Sequence, residues 1–256
     1  MQSFFNSMSF FPVTLITLPL ATALIVKLLK NMNIIRTFAF VSSGISFIVS
    51  CILLNVVTSE SSLMPFFTSL NNSLFYIDSL TAVMAFLISL IALSAILFAG
   101  DYLQNEIKTH DLTIRKISNC YTSIYLFIFS MMLVVFLNNI GLVWASVELT
   151  TLTSAFLVGF YKSRESTEAA WKYLIICTVA IALSLFGVIL LNYSSFTDAN
   201  NVTQNINYSY LSLNAAFLNK NLLKLAFIFV LVGYGTKAGL APMHTWLPDA
   251  HSQAPS

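Results

Sequence analysis

Residues 232–256 read VGYGTKAGLAPMHTWLPDAHSQAPS and decide how the rest of the sequence is interpreted. The apolar run Leu222 to Leu231 leads into this stretch, so one hydrophobic helix acquires a lysine, Lys237, and then meets two prolines. Proline donates no backbone hydrogen bond and therefore interrupts a helix. Interrupted backbone at membrane depth persists only where protein or a water-filled cavity surrounds it, and a buried charge there indicates a functional site. We predict that the break lies near Gly239, Pro242 and Pro248.

Composition indicates that this helix lies in a membrane. Hydrophobic residues make up 57% of the 256-residue chain and charged residues 9%, whereas about a quarter of the residues are charged in an ordinary soluble domain. The predicted fold class is all-α, a polytopic transmembrane helix bundle in a lipid bilayer with a discontinuous seventh helix. The net charge is only +2, and the charges lie between apolar runs instead of forming a basic face. No nucleic-acid partner is therefore expected.

Seven apolar segments are long enough to cross a bilayer. We predict a single membrane domain over residues 1–256, with helices one to three in 1–118 and helices four to seven in 119–256. Asp78 is interpreted as the N-cap of the third helix, which Gly100 and Asp101 should end. The predicted spans are about 11–29, 34–57, 75–99, 121–137, 140–161, 168–192 and 222–247.

The distribution of lysine and arginine predicts the orientation of the helices. Positive residues concentrate in the loops after helices one, three and five, and such loops stay on the cytoplasmic side. The N-terminus is therefore expected outside, and Ser194 to Asn221 should form an external loop with an interfacial helix over Leu211 to Leu218. The sequon Asn201-Val-Thr203 in this loop is expected by chance. The positive residues of these three loops are Lys27, Lys30, Arg36, Lys108, Arg115, Lys116, Lys162 and Arg164.

Two opposite charges are predicted at matched depth. With a rise of 1.5 Å per residue, Glu148 lies about 4 Å from the middle of helix five, and Lys237 about 4 Å from the middle of helix seven. A charge at the centre of a bilayer costs roughly 2.5 to 3.5 kcal/mol, so the pair opposes insertion unless the two charges compensate each other. This arrangement predicts proton transfer through buried charges.

Structural roles are alternatives for both side chains. Lys237 could extend along its aliphatic stem to the cytoplasmic interface. Glu148 could be a protonated acid that hydrogen-bonds a hydroxyl of a neighbouring helix. The hydroxyls considered for it are those of Thr150, Thr151 and Ser154.

Further polar residues flank this pair. Lys172 lies about one turn inside helix six, so its position supports an interfacial and a functional role equally. Asp249 could cap a helix or line a cavity. His244 and His251 follow the break in helix seven and could admit water to it.

The three cysteines carry no redox signature. Cys51, Cys120 and Cys177 each stand alone in an apolar segment, without the paired spacing of a metal or redox site. We interpret them as small core residues and expect neither a metal site nor a cofactor in this chain.

Four motifs carry a family resemblance over essentially the whole chain. They are Phe75-Tyr-Ile-Asp-Ser-Leu-Thr-Ala82, Trp144-Ala-Ser-Val-Glu-Leu-Thr-Thr-Leu152, Glu168-Ala-Ala-Trp-Lys-Tyr173, and Lys237 with Pro242-Met-His-Thr-Trp-Leu-Pro-Asp-Ala-His-Ser-Gln-Ala-Pro255. With these motifs the chain resembles the antiporter-like membrane subunits of respiratory complex I and of membrane-bound nickel-iron hydrogenases. It is closest to the hydrogenase 4 component F branch.

The resemblance implies a proton-translocating subunit of a redox-driven pump in a bacterial inner membrane. In the family, the helix-five glutamate and the lysines of helices six and seven belong to the proton path, and they fall here on Glu148, Lys172 and Lys237. The implied partners are other membrane subunits and hydrophilic redox subunits of a hydrogenase- or complex I-like assembly. The chain would then be a subunit of an oxidoreductase complex, with the redox centres in its partners.

Two departures from the family pattern qualify this prediction. Complex I subunits place tryptophan directly before the helix-five glutamate, whereas Trp144 precedes Glu148 by four residues, which favours the hydrogenase branch. Family members continue into an inverted repeat, whereas this chain stops at Ser256, before an eighth helix. We therefore expect an N-terminal portion that holds the first of two half-paths.

Other functions fit the same residues. A sodium/proton antiporter subunit of the multi-subunit type would share this fold and these buried charges without redox partners. A structural remnant that inserts and packs but moves no ion is a third possibility.

Overall fold

A computed structural model of the chain describes residues 2–59, 74–110, 113–195 and 206–255. Within these residues the chain forms helices and isolated β-bridges but no strand, which confirms the all-α class. The sequon Asn201-Val-Thr203 and the side chain of Lys108 lie outside the described part. The helices are α1 (Gln2–Leu28), α2 (Met32–Ser59), α3 (Ser79–His110), α4 (Ile114–Phe136), α5 (Ile140–Val158), α6 (Arg164–Tyr193), α7 (Tyr208–Leu213), α8 (Lys220–Ala238) and α9 (Trp246–Gln253).

Seven of these helices, α1 to α6 and α8, are long and apolar enough to cross a membrane. The prediction of a multi-pass membrane protein is therefore confirmed. The predicted interfacial segment, Leu211 to Leu218, contains the end of α7 and a short 3-10 helix, Ala215–Phe217. Cys120 and Cys177 are buried, whereas Cys51 is half-buried.

The start of α3 agrees with the sequence analysis, but its end does not. Asp78 Oδ1 accepts a hydrogen bond from the backbone N–H of Thr81 at 2.7 Å, which confirms its role as N-cap. The prediction that Gly100 and Asp101 end this helix is wrong, because α3 continues to His110. Asp101 instead pairs with Arg36 at 2.8 Å, and the Arg36 side chain packs so closely on Gly100 that a Cβ there would lie 2.6 Å from Arg36 Nε.

The described helices divide into two compact units, of which the first contains α1 to α4. The buried face of α2 carries a serine at every fourth position, Ser42, Ser46 and Ser50. Thr22 Oγ1 lies 2.5 Å from Ser42 Oγ, and Ser50 Oγ lies 2.5 Å from Ser89 Oγ. Small hydroxyl side chains let transmembrane helices approach closely and bond to each other. The predicted division of one domain near residue 118 stays a prediction.

The second unit contains α5 to α9 and is built around α6, which packs against α5, α8 and α9. Glycines bring α6 and α8 together. A Cβ added at Gly233 of α8 would lie 2.5 Å from both the Ala180 carbonyl oxygen and Ser184 Cβ. A Cβ at Gly187 of α6 would lie 2.9 Å from the Ala226 carbonyl oxygen. The two backbones therefore meet at positions where only glycine fits.

The predicted seventh helix is discontinuous, but its bounds differ from 222–247. The continuous part, α8, ends at Ala238, because Gly239 adopts a left-handed conformation with φ of 80° and caps the helix. Pro242 lies in the irregular segment that follows. Pro248 lies just after the break, in the first turn of α9, where a missing backbone N–H costs little. Trp246 Nε1 donates to the Thr236 carbonyl at 2.9 Å and fixes α9 against the end of α8.

The start of α5 is tied to α7 by a fully buried asparagine. Asn138 Oδ1 accepts from the backbone N–H of Ser209 at 3.1 Å, and its Nδ2 donates to Ser209 Oγ at 3.0 Å. Asn138→Ala is expected to leave these groups unsatisfied and to destabilise the α7 contact by about 1–3 kcal/mol. Hydrogen exchange of residues 208–213 should become faster. The exposed Asn221→Ala is the control, and unchanged exchange in Asn138→Ala would contradict the assignment.

Candidate functional site in the second unit

The ammonium of Lys237 is held inside the second unit. Its Nζ donates to Thr151 Oγ1 at 2.6 Å and to Tyr173 Oη at 2.8 Å, and it lies 5.1 Å from the centroid of the Tyr173 ring. Lys237 stands in the last turn of α8, so its side chain reaches across to α5 and α6. The aliphatic stem therefore leads into the bundle and not to its surface.

The two acceptors of Lys237 are themselves buried and fixed. Thr151 is 0% exposed and Tyr173 is 5% exposed. The Tyr173 hydroxyl lies 2.7 Å from Ser154 Oγ, and the Tyr173 ring packs on Trp246 with 4.9 Å between the centroids. Side chains from α5, α6, α8 and α9 thus meet at one ammonium.

Glu148 lies one helical turn from this group. It is next to the middle residue of α5, and Thr151 follows it by three positions on the same helix face, about 4.5 Å along the axis. Its Oε1 accepts from Thr178 Oγ1 at 2.9 Å, whereas its Oε2 is buried without a hydrogen-bond partner among the described residues. The carboxyl and the Lys237 ammonium are thus neighbours in the described unit without a direct hydrogen bond or ion pair.

Lys172 is not paired with Glu148. Its Nζ lies 2.9 Å from Glu168 Oε1 and 3.1 Å from Asp249 Oδ2, and all three side chains are about half exposed. The structure therefore brings Lys172 and Asp249 together across α6 and α9.

The two histidines lie at and after the break. His244 belongs to the irregular segment and His251 to α9, and both are exposed. Their role in admitting water stays a prediction.

Sequence reasoning missed two residues of this site. Tyr173 was given no role, although it directly follows Lys172 in the motif that opens helix six. Thr178 is the true hydrogen-bond partner of Glu148, in place of the hydroxyls on α5 itself. A hydroxyl within an otherwise apolar transmembrane helix was the available signal, because such groups commonly bond across helices.

Comparison with known proteins places the chain in a family. A family model described as NADH:quinone oxidoreductase/Mrp antiporter, transmembrane, matches residues 138–256, the part of the chain that contains the site. The hydrogenase-4 component F homolog of Methylacidiphilum infernorum is 39% identical over 184 residues. The chain is an antiporter-like membrane subunit. The recognition made from the four motifs is thereby confirmed.

Two further similarities describe the breadth of the family. The antiporter-like subunit is 29% identical over 197 residues to the Na(+)/H(+) antiporter subunit A1 of Staphylococcus aureus, with 77% of this chain and 22% of that one covered. Its fold matches a chain of the archaeal membrane-bound sulfane sulfur reductase with a TM-score of 0.78 at 21% identity, with 95% of this chain and 48% of the other covered.

The chain covers only part of each protein that it matches. The alignment with the hydrogenase-4 component F homolog covers 72% of this chain and 39% of the relative. The chain thus spans less than half the length of the relatives and solved chains named above.

Proposed function

We propose that this subunit carries a proton half-path, formed by Glu148, Lys172 and Lys237, in a redox-driven pump of the hydrogenase 4 or NADH:quinone oxidoreductase type. The observation that carries the proposal is the Lys237 ammonium held between α5 and α6 by two buried hydroxyls. An ionisable residue inside a membrane-spanning bundle is a functional-site hypothesis by default. Similarity to a hydrogenase-4 component F homolog supports the redox-driven form.

In this geometry Lys237 could bind and release a proton in response to changes in nearby charge, without a covalent step. Among the described residues, Lys237 donates to two neutral hydroxyls and to no carboxylate, so an ionised Glu148, one turn from Thr151, would balance its charge at a distance. A change in the charge near Glu148 alters the free energy of the ammonium and can release its proton. The proton would be exchanged with water at the break by four polar side chains, those of Lys172, Asp249, His244 and His251.

The change in charge that releases the proton would be caused by partner subunits. We propose that hydrophilic redox subunits perform electron transfer, and that this chain itself binds no cofactor. The assembly would lie in a bacterial inner membrane with the N-terminus outside, as the positive loops indicate.

Neutralising Glu148 tests the proposal. Glu148→Gln keeps the acceptor for Thr178 but removes the charge, so redox-driven proton translocation by the reconstituted complex should fall at least about ten-fold, equivalent to about 1.4 kcal/mol. Electron transfer and assembly should persist. Proton uptake into vesicles, followed with a pH-sensitive dye, measures the effect.

Glu165→Gln supplies the matched control, because Glu165 is an exposed glutamate at the start of α6. It should leave translocation unchanged. Normal pumping in Glu148→Gln would rule out a proton path through this carboxyl.

A sodium/proton antiporter subunit is the second candidate function. The similarity to the Staphylococcus aureus antiporter subunit covers 77% of this chain and specifically favours it. Sodium-dependent proton exchange in membranes that lack hydrogenase and NADH dehydrogenase would support the antiporter. Co-purification with a nickel-iron hydrogenase would support the redox-driven pump.

A further inference from the structure

Tyr173 joins four helices at the Lys237 ammonium. Its backbone belongs to α6, its hydroxyl accepts from Lys237 of α8 at 2.8 Å and lies 2.7 Å from Ser154 Oγ of α5. Its ring packs on Trp246 of α9 and forms part of a buried cluster with Ala155, Val158, Ala169, Cys177 and Ala250. Tyr173 is not among the residues assigned to the proton half-path above.

The direction of the hydrogen bonds follows from the donors available. An ammonium has only donors, so Lys237 donates and the Tyr173 oxygen accepts. The Tyr173 O–H is then left to donate to Ser154 Oγ, and Ser154 in turn donates to the Thr150 carbonyl at 2.7 Å. Because the series ends on a helical carbonyl, it cannot pass a proton onward. It fixes the place of the tyrosine hydroxyl.

We propose that Tyr173 is a positioning residue for Lys237: its hydroxyl, anchored by Ser154 and with its ring held by Trp246, keeps the ammonium between α5 and α6. The inference rests on the proposed function of Lys237 and deepens it. It goes further by linking α9, which carries Trp246, to the proton-binding group.

Tyr173→Phe is the test, because it removes the hydroxyl and keeps the ring that packs on Trp246. The protonation of Lys237 is measured in the intact complex as its rate of acetylation by acetic anhydride over a pH series, with the modified peptide quantified by mass spectrometry. Loss of one hydrogen bond to a charged group corresponds to a shift of about one pH unit in the midpoint. The pH profile of proton translocation should shift with it.

Tyr121→Phe is the matched control. Tyr121 is fully buried in the first unit, and its hydroxyl has no hydrogen-bond partner among the described residues. Its removal should leave the Lys237 midpoint and the translocation profile unchanged. An equal shift in Tyr121→Phe would overturn the proposal, since the effect would then be a general one of losing a buried hydroxyl.

Ser154→Ala tests whether the anchoring of the Tyr173 hydroxyl by Ser154 matters, separately from the hydrogen bond between that hydroxyl and Lys237. It should shift the Lys237 midpoint by less than Tyr173→Phe, and it should add nothing when combined with Tyr173→Phe, because both changes act on one hydroxyl. An unchanged Lys237 midpoint in Tyr173→Phe would overturn the positioning role. A shifted midpoint with unaltered translocation would leave that role intact and contradict the proposed function of Lys237 instead.

Discussion

Lys237→Ala is expected to abolish proton translocation while the complex still assembles. The substitution removes the ammonium that Thr151 and Tyr173 hold inside the second unit, and no other described lysine or arginine donates to these hydroxyls. Without a group that accepts and releases a proton at this depth, redox-driven transport should fall to the background of empty vesicles. Proton uptake by reconstituted vesicles and blue-native gels of the membranes measure transport and assembly separately.

Two further variants make this experiment decisive. Lys237→Met keeps a long unbranched stem and should lose transport to the same extent, which separates loss of charge from loss of packing. Lys224→Ala, an exposed lysine on the same helix, should pump normally. Persistent translocation in Lys237→Met would show that the proton takes a route that avoids this ammonium.

Gly233→Ala is expected to destabilise the second unit severely. The added methyl group would lie 2.5 Å from the Ala180 carbonyl oxygen and from Ser184 Cβ, so the backbones of α6 and α8 would have to separate. Overpacking of a tight core costs about 1–3 kcal/mol, and a clash with a helical backbone lies at the upper end. Thermal unfolding of the protein in detergent should show a clear fall in midpoint, and the pairing of Lys237 with Tyr173 should weaken with it.

Gly44→Ala is the control for this change, because a Cβ there meets no atom within 4 Å. Alanine in an open helical position removes the flexibility of glycine and should stabilise the protein by about 0.5–1 kcal/mol. A fall in thermal midpoint of equal size for Gly44→Ala and Gly233→Ala would show that close packing at Gly233 is not the cause.

The number of membrane-spanning helices and the all-α class could be predicted because each span has a simple pattern in the sequence. A run of about 20 apolar residues is enough to identify a transmembrane helix, whatever surrounds it. The end of α8 is also visible in the sequence, because Gly239 follows the helix and glycine is the residue type that most often caps a helix C-terminus. Pro242 lies in the irregular segment between α8 and α9, as predicted, whereas Pro248 lies in the first turn of α9.

Interactions between helices were predicted less well, because they depend on how each helix is rotated about its axis. One residue corresponds to about 100° of rotation, so a small difference decides whether Glu148 faces α6 or lipid. The bond from Thr178 to Glu148 and the placement of Lys172 beside Asp249 both follow from such rotations. The end of α3 was misplaced for a related reason, since Asp101 pairs with Arg36, a residue 65 positions earlier in the chain.

The position of Thr151 has an electrical implication. Thr151 lies two residues beyond the middle of α5, so the ammonium bonded to it stands about half way along a helix that crosses the membrane. A voltage of 100 mV does about 2.3 kcal/mol of work on one elementary charge that crosses the whole bilayer, and thus about 1 kcal/mol on a proton that reaches Lys237. Under the proposed function, an energised membrane would thereby bias the loading of this lysine with a proton.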